Sequence, residues 1–307
     1  MSRDGIDPDA PDFVYDEFAW FHENCAEYGL DWGGAAEVAR VRHDVSAGHH
    51  MSALHWGAGA PRVVMLHGGA QNAHTWDTVV LALRPTDALA VDLPGHGRSG
   101  WRDDGRYDPH SNAGSVIELL EAQLDGPVVL VGMSLGGLTA TRVAALRPDL
   151  VARLVMVDIT PGVTRDKAKE VHDFIAGPQS FASFTEIFER TVAFNPTRSA
   201  SSLRRGILHN AHRMPDGSWE WNYDRSPVTG DSFPSSEAMW ADVAATTMPC
   251  LLVRGADSPV VDDDDVAELL RRRPDARVEM VKSAGHSVQG DQPLVLARHL
   301  EGELDAR

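Results

Sequence analysis

Two cysteines among 307 residues, Cys25 and Cys250, are too few and too far apart to build a disulfide framework or a cysteine-based metal centre. Cys250 follows Pro249 inside the apolar stretch MPCLLVRG and reads as a buried packing thiol. No window approaches about 18 uninterrupted apolar residues, so no membrane-spanning helix is expected. The amino terminus, MSRDGIDPDAPDF, has no apolar stretch behind a basic one, which predicts no secretory leader and an intracellular, cytoplasmic protein. Basic charge is also scarce. Twenty-eight Lys and Arg face 45 Asp and Glu, a formal net charge of −17. Such a surface repels phosphate backbones and anionic lipid. Nucleic acid and membrane are therefore excluded as expected partners, and a small apolar or uncharged substrate is favoured.

What the chain does have is a regular alternation. Continuous apolar runs of strand length occur at 61–68, 87–95, 126–134, 152–160, 248–255 and 276–285. Unbroken rather than alternating hydrophobicity is what a strand covered on both faces requires. Helical patterns fall between several of them, including SNAGSVIELLEAQL, LGGLTATRVAALR and DDDVAELLRRRP, the last with acids in its first turn and arginines in its last. Two further segments, EVARVRHDVS and HHMSALHWG, read as antiparallel strands opening the sheet. The series predicts an α/β fold with a mostly parallel sheet flanked by helices.

The spacing breaks once, between Pro161 and Thr247, where nine Phe and Trp residues concentrate. An unstructured loop of that length is improbable, so a helical cap is expected there, supplying an apolar pocket. The expected organisation is an amino-terminal helical extension (1–35), a core (36–160 and 248–307) and a cap inserted after the sixth strand (161–247). Residues Asp12 to Trp32 read as a helix packed on the outside.

The stretch VVLVGMSLGGL carries the chemistry. A strand, a sharp turn and a helix around Gly132-Met133-Ser134-Leu135-Gly136 form a nucleophile elbow, in which small residues at −2 and +2 permit a strained turn that lifts the serine hydroxyl above the sheet. The competing reading is a serine N-cap flanked by packing glycines. A serine needs a base within hydrogen-bond reach. Among 14 histidines, His286 is placed best, just past the last strand. His43, His49, His50, His55, His209, His212 and His299 read as surface or packing residues, and no histidine pair shows the spacing of a zinc site, so no catalytic metal and no cofactor is expected. The oxyanion donors are assigned to the backbone N–H of Leu135 and of Gly69, in the His67-Gly68-Gly69-Ala70 turn, with His67 bracing that loop.

The order His67-Gly68-Gly69, Asp92-Leu93-Pro94-Gly95-His96-Gly97-Arg98-Ser99, Gly132-Met133-Ser134-Leu135-Gly136-Gly137 and Gly285-His286 resembles the α/β-hydrolase fold superfamily, in its serine-nucleophile, esterase-like branch. The resemblance implies that Ser134 attacks, that His286 is the base and then the acid, and that a carboxylate lies between them in sequence. Two aspartates compete for that role. The position after the strand that follows the cap reads Gly255-Ala256-Asp257-Ser258, with serine where Gly-x-x-Asp puts the acid; Asp158, in Val157-Asp158-Ile159-Thr160-Pro161, is preferred and Asp257 is the alternative. Asp92 reads as part of a structural turn. The implied reaction is hydrolysis of a carboxylic ester, lactone or thioester through an acyl-enzyme. Carbon–carbon bond hydrolysis, peracid formation of the haloperoxidase kind and non-catalytic ligand binding are alternatives on the same framework.

Overall fold

The computed structural model describes residues 7–195, 198–224 and 233–306, so residues 1–6 of the amino-terminal stretch considered above lie outside it. Its strands are β1 (Val38–Asp44), β2 (His50–Trp56), β3 (Val63–Leu66), β4 (Ala88–Asp92), β5 (Val128–Met133), β6 (Val151–Val157), the short β7 (Ser180–Phe181), β8 (Ala211–Arg213) and β9 (Trp219–Trp221), then β10 (Cys250–Gly255) and β11 (Arg277–Val281). Its helices are α1 (Phe21–Tyr28), α2 (Asp77–Leu83), α3 (Pro109–Gln123), α4 (Leu135–Leu146), α5 (Lys169–Ile175), α6 (Phe184–Phe194), α7 (Ala200–Asn210), α8 (Ser236–Ala245), α9 (Asp263–Arg272), α10 (Val288–Asp291) and α11 (Pro293–Asp305).

Eight strands form one sheet in the order β1-β2-β4-β3-β5-β6-β10-β11. Strand β2 runs antiparallel to both its neighbours, and every other pairing is parallel. Alternate residues of the central strands feed two different cores, as the two-residue period of a strand demands. Leu130, Leu154, Met156 and Leu252 pack with α3, α4 and α8 on one face, whereas Val129, Val131, Val155 and Val253 pack with α1, α2 and α11 on the other. Truncating Leu130 to alanine would open a void costing about 2–5 kcal/mol.

Local chemistry fixes the helix starts. Asp108 accepts from the His110 and Ser111 amides at 3.0 Å ahead of α3, with Pro109 preset for the first turn. Asp262 and Asp265 form a reciprocal capping box on α9. No helix of the described residues is long and apolar enough to cross a membrane.

The segment between β6 and β10 differs from an all-helical expectation. It contains α5, α6 and α7, but also an antiparallel sheet in the order β7-β9-β8. The cause is the alternation in Trp219-Glu220-Trp221, which turns both indoles inward and closes on β8 through a turn at Gly217, whose φ of 92° suits glycine. Helix α8 does not belong with these elements. Its Met239, Trp240 and Val243 enter the core against α4, so it serves as the crossover helix leading to β10. The amino-terminal segment also departs from the outside helix expected of it. Only Phe21–Tyr28 is helical, Phe21 and Cys25 are buried in the second core, and Asn24, Glu27 and Tyr28 line an internal cavity.

Candidate active site

Five loops meet at the carboxyl edge of the parallel strands, where open α/β sheets place their ligands. The first follows β5. Ser134 occupies the N-cap position of α4 with φ 51° and ψ −120°, a conformation that costs on the order of 1–3 kcal/mol and marks a functional turn. Its side chain makes no capping hydrogen bond, which removes the N-cap reading and leaves the hydroxyl available. The glycines around it are enforced by contact. A Cβ on Gly132 would lie 2.2 Å from the Gly136 carbonyl oxygen, and one on Gly136 would lie 2.3 Å from that of Leu66 on β3. The Ser134 amide is anchored on Val157 O at 3.3 Å, beside the next site loop.

That loop begins with Asp158, fully buried and left-handed at φ 49°, a region aspartate tolerates better than most residues. Its Oδ1 accepts from the Gly255 amide at 2.9 Å, and its Oδ2 accepts from Ser258 Oγ at 2.5 Å and from His286 Nδ1 at 2.8 Å. None of these is a helix cap. With Nδ1 donating to the carboxylate, Nε2 of His286 is left as the basic nitrogen. The structure thus brings Asp158 to His286 and does not bring Asp257. The Asp257 carboxylate is exposed, and it is the residue's amide that steadies the histidine loop, donating to Ala284 O at 2.9 Å. Gly285 completes the loop by donating to Asp291 Oδ2 at 2.9 Å.

The loop after β3 holds Gly69. Its neighbours are committed: the Gly68 amide donates to Gln71 Oε1 at 3.2 Å and the Ala70 amide to His96 Nε2 at 3.1 Å. Among the described residues no acceptor engages the Gly69 or Leu135 amide. His67 braces this loop. It accepts from the Leu93 amide at Nε2 (2.9 Å) and donates from Nδ1 to Gly68 O (2.7 Å). Burial, helped by His96, pushes its pKa down to about 3, so the ring stays neutral, and with both nitrogens committed to backbone partners it has none free to take a proton from Ser134. His96, Gln71 and Asn210, which donates to Ala70 O at 2.7 Å from the end of α7, are further braces that sequence reasoning missed. Asp92 is the structural turn expected, accepting from Ala73 N, Arg98 N and Arg40 Nη1.

Ser134, Gly69 and His286 line one cavity of about 890 Å³. Its wall is not the apolar pocket expected from the aromatic insertion. Phe174, Ile175, Phe194 and Trp221 do line it, but Phe181, Phe184 and Trp219 form a separate small core and Trp240 packs under the sheet. Charged groups share the wall: Glu27 of α1, Asp77 of α2, Arg205 of α7, and Arg198 just ahead of α7. His74, Asp77 and His209 bring ligand-capable atoms within 4.8 Å of one another, a grouping invisible at the sequence level. The two imidazoles stack at 3.7 Å and 8°, so one ion cannot lie in the plane of both. Burial opposes charging of His74, yet the Asp77 and Glu17 carboxylates outweigh it and hold the pKa up at about 9. His209 is kept neutral by burial and by that neighbouring charge.

A strained serine at a strand-to-helix turn, a histidine held by a buried aspartate and a glycine loop opposite them define an α/β hydrolase. Residues 63–299 match the family model described as the alpha/beta hydrolase family, and the chain belongs to that family, in its esterase-like branch. It is 47% identical over 299 residues to the esterase Rv0045c of Mycobacterium tuberculosis, covering 95% of this chain and 97% of the relative. A solved structure of that esterase superposes with a TM-score of 0.85 at 44% identity, over 96% of this chain and 100% of the other. An sn-1-specific diacylglycerol lipase of Xenopus laevis is 30% identical over 247 residues, 76% of each chain.

Proposed function

We propose that this hydrolase cleaves a carboxylic ester through an acyl-enzyme formed on Ser134. The observation that carries the reading is the Ser134 hydroxyl, held in a strained turn, uncommitted to capping and sharing a cavity with the Asp158-bound His286. In this reading Ser134 Oγ attacks the ester carbonyl carbon while His286 Nε2 takes its proton. The oxyanion is received by the Gly69 and Leu135 amides, and collapse returns the proton to the departing alcohol. Water, activated by the same imidazole, then releases the acid. Asp158 holds the ring in the Nδ1–H tautomer and stabilises the imidazolium, with Ser258 and Gly255 fixing the carboxylate in turn.

Ester cleavage is preferred to carbon–carbon hydrolysis or peracid formation because esterases and lipases are among the named relatives, the esterase at 47% identity over nearly the whole chain. The elements from α5 to β9 act as a cap over the cavity. The test is turnover of a short p-nitrophenyl ester by the wild type and by Ser134→Ala. The variant is expected to fold and to lose about 10⁴ or more in kcat, whereas a variant retaining more than about a hundredth of the wild-type rate would overturn the assignment.

A further inference from the structure

Every cation on the cavity wall but one has a carboxylate partner among the described residues. Lys167 reaches Asp262 and Asp265 at 2.7 Å, Arg205 reaches Glu23 at 3.2 Å and Glu27 at 2.5 Å, and His74 sits between Asp77 and Glu17. Arg198 is different. Among the described residues no carboxylate forms an ion pair with it, and the hydrogen bond its guanidinium makes goes to a neutral acceptor, Ser202 Oγ, at 2.8 Å. Its Nε is buried and has no partner. A guanidinium offers five N–H donors; leaving the buried Nε–H unmatched is costly, and the rest of the group, only partly exposed, lines the cavity wall with donors to spare.

The guanidinium lies against Gly290 of α10, where a Cβ would come within 2.9 Å of Cζ, so only glycine lets it settle there. Gly290 follows His286 by four residues, and Arg198, Ser202, His286 and Ser134 all line the same cavity. Burial holds Arg198 below the usual arginine range, and the more distant Asp291, Tyr28 and Glu27 do not offset it. Those acids have their own donors: Asp291 accepts from the Gly285 amide and Glu27 from Arg205.

We propose that Arg198 is a specificity residue that receives the carboxylate of a substrate carrying both a free carboxylate and the scissile ester. The planar guanidinium matches a carboxylate in shape and charge, and the Ser202 hydroxyl, which accepts from Arg198, keeps its own proton to donate to the same ligand. This replaces the uncharged substrate expected from the net charge of −17, because whole-surface repulsion slows encounter whereas a single desolvated contact decides retention. The inference rests on the ester-hydrolase reading of Ser134.

The test compares kcat/KM for two matched pairs: monoethyl adipate beside ethyl hexanoate, with the carboxylate in the acyl part, and 4-acetoxybutanoate beside butyl acetate, with it in the alcohol part. Released acid is titrated at constant pH. The wild type is expected to prefer the charged member of one pair, and Arg198→Gln to lose about tenfold to a hundredfold on that ester beyond its loss on the neutral one, with Arg198→Lys recovering part. A wild type that favours the neutral member of both pairs, or an Arg198→Gln variant that loses equally on both members, overturns the proposal while leaving the hydrolase intact. The wild-type preference is read without any variant, so the test survives if Arg198→Gln does not fold. Failure to hydrolyse any of the four esters would instead strike the ester-hydrolase reading.

Discussion

Ser258 and His286 donate to the same oxygen, Oδ2 of Asp158, at 2.5 and 2.8 Å. The serine stands where Gly-x-x-Asp would put an acid, and it has become a donor to the acid on the neighbouring strand. The sheet register makes this possible, since Val157 of β6 pairs with Val253 of β10 and the loops that follow run side by side.

Asp158→Asn should therefore lower kcat by roughly 10³ to 10⁴ through loss of the tautomer that keeps Nε2 basic. Ser258→Ala should cost about tenfold, the scale of one hydrogen bond to a charged group, with KM little changed. Asp257→Asn should stay within about threefold of wild type. Steady-state kinetics on one ester checks all three, and a larger loss in Asp257→Asn than in Asp158→Asn would exchange the two roles.

Glycines at the site should differ sharply in tolerance. Gly136→Ala drives a Cβ to 2.3 Å from a backbone oxygen that cannot move without β3. It should cost about 2 kcal/mol or more, a fall in Tm of roughly 5 °C. Gly69→Ala meets only Ile175 Cδ1 at 3.7 Å and keeps its N–H, so turnover should fall no more than severalfold. Thermal melts and rates on the two variants separate packing from oxyanion geometry.

Asn210, at the end of α7, ties the segment between β6 and β10 to the loop proposed to hold the Gly69 oxyanion donor, through Ala70 O. Asn210→Ala should lower kcat about tenfold while KM moves little, because the donors are misplaced rather than the pocket reshaped. A change confined to KM would show that the bond serves binding alone.

Stability should peak near pH 6.5. The folded pKa of His67 is about 3, below its ordinary 6.5, so below pH 6.5 the unfolded chain gains a proton that the native ring refuses, and stability falls as pH drops toward 3. His96 and His209, also held down by burial, act in the same direction. His74 is opposite: its contribution is complete below pH 6.5 and is lost as pH rises through about 9. Urea midpoints from pH 4 to 10 should fall on both sides, and His74→Gln should flatten the alkaline limb.

The amino-terminal helix is held to α7 by Glu23, which accepts from Arg204 at 2.6 Å and from Arg205 at 3.2 Å with all three side chains largely buried. Glu23→Gln leaves the buried Arg204 without its counter-charge, while Arg205 keeps Glu27, and should cost about 3 kcal/mol. Thermal denaturation measures it, and a loss below 1 kcal/mol would mean that the network is solvated.

The legible parts of this protein were the local ones. The elbow could be read because a β-branched run, three glycines and an apolar helix adjoin one another in sequence, and His286 because it directly follows a strand. The pairing of Asp158 with His286 emerged only from the family pattern, since nothing within ten residues of Asp158 distinguishes a carboxylate that holds a histidine from one that caps a helix. The stacked pair His74 and His209, 135 positions apart, and the unmatched guanidinium of Arg198 are tertiary facts with no local signature. Pocket polarity was misjudged because aromatic density was taken as lining, whereas Phe181, Phe184 and Trp219 stabilise the cap by packing on one another.

The most direct measurement is mass mapping of the adduct formed by a fluorophosphonate on the wild-type protein. The structure predicts a single stoichiometric adduct on the peptide carrying Ser134, abolished in Ser134→Ala and strongly slowed in Asp158→Asn. No adduct, or one on another residue, would contradict the assignment of Ser134 as nucleophile and with it the acyl-enzyme.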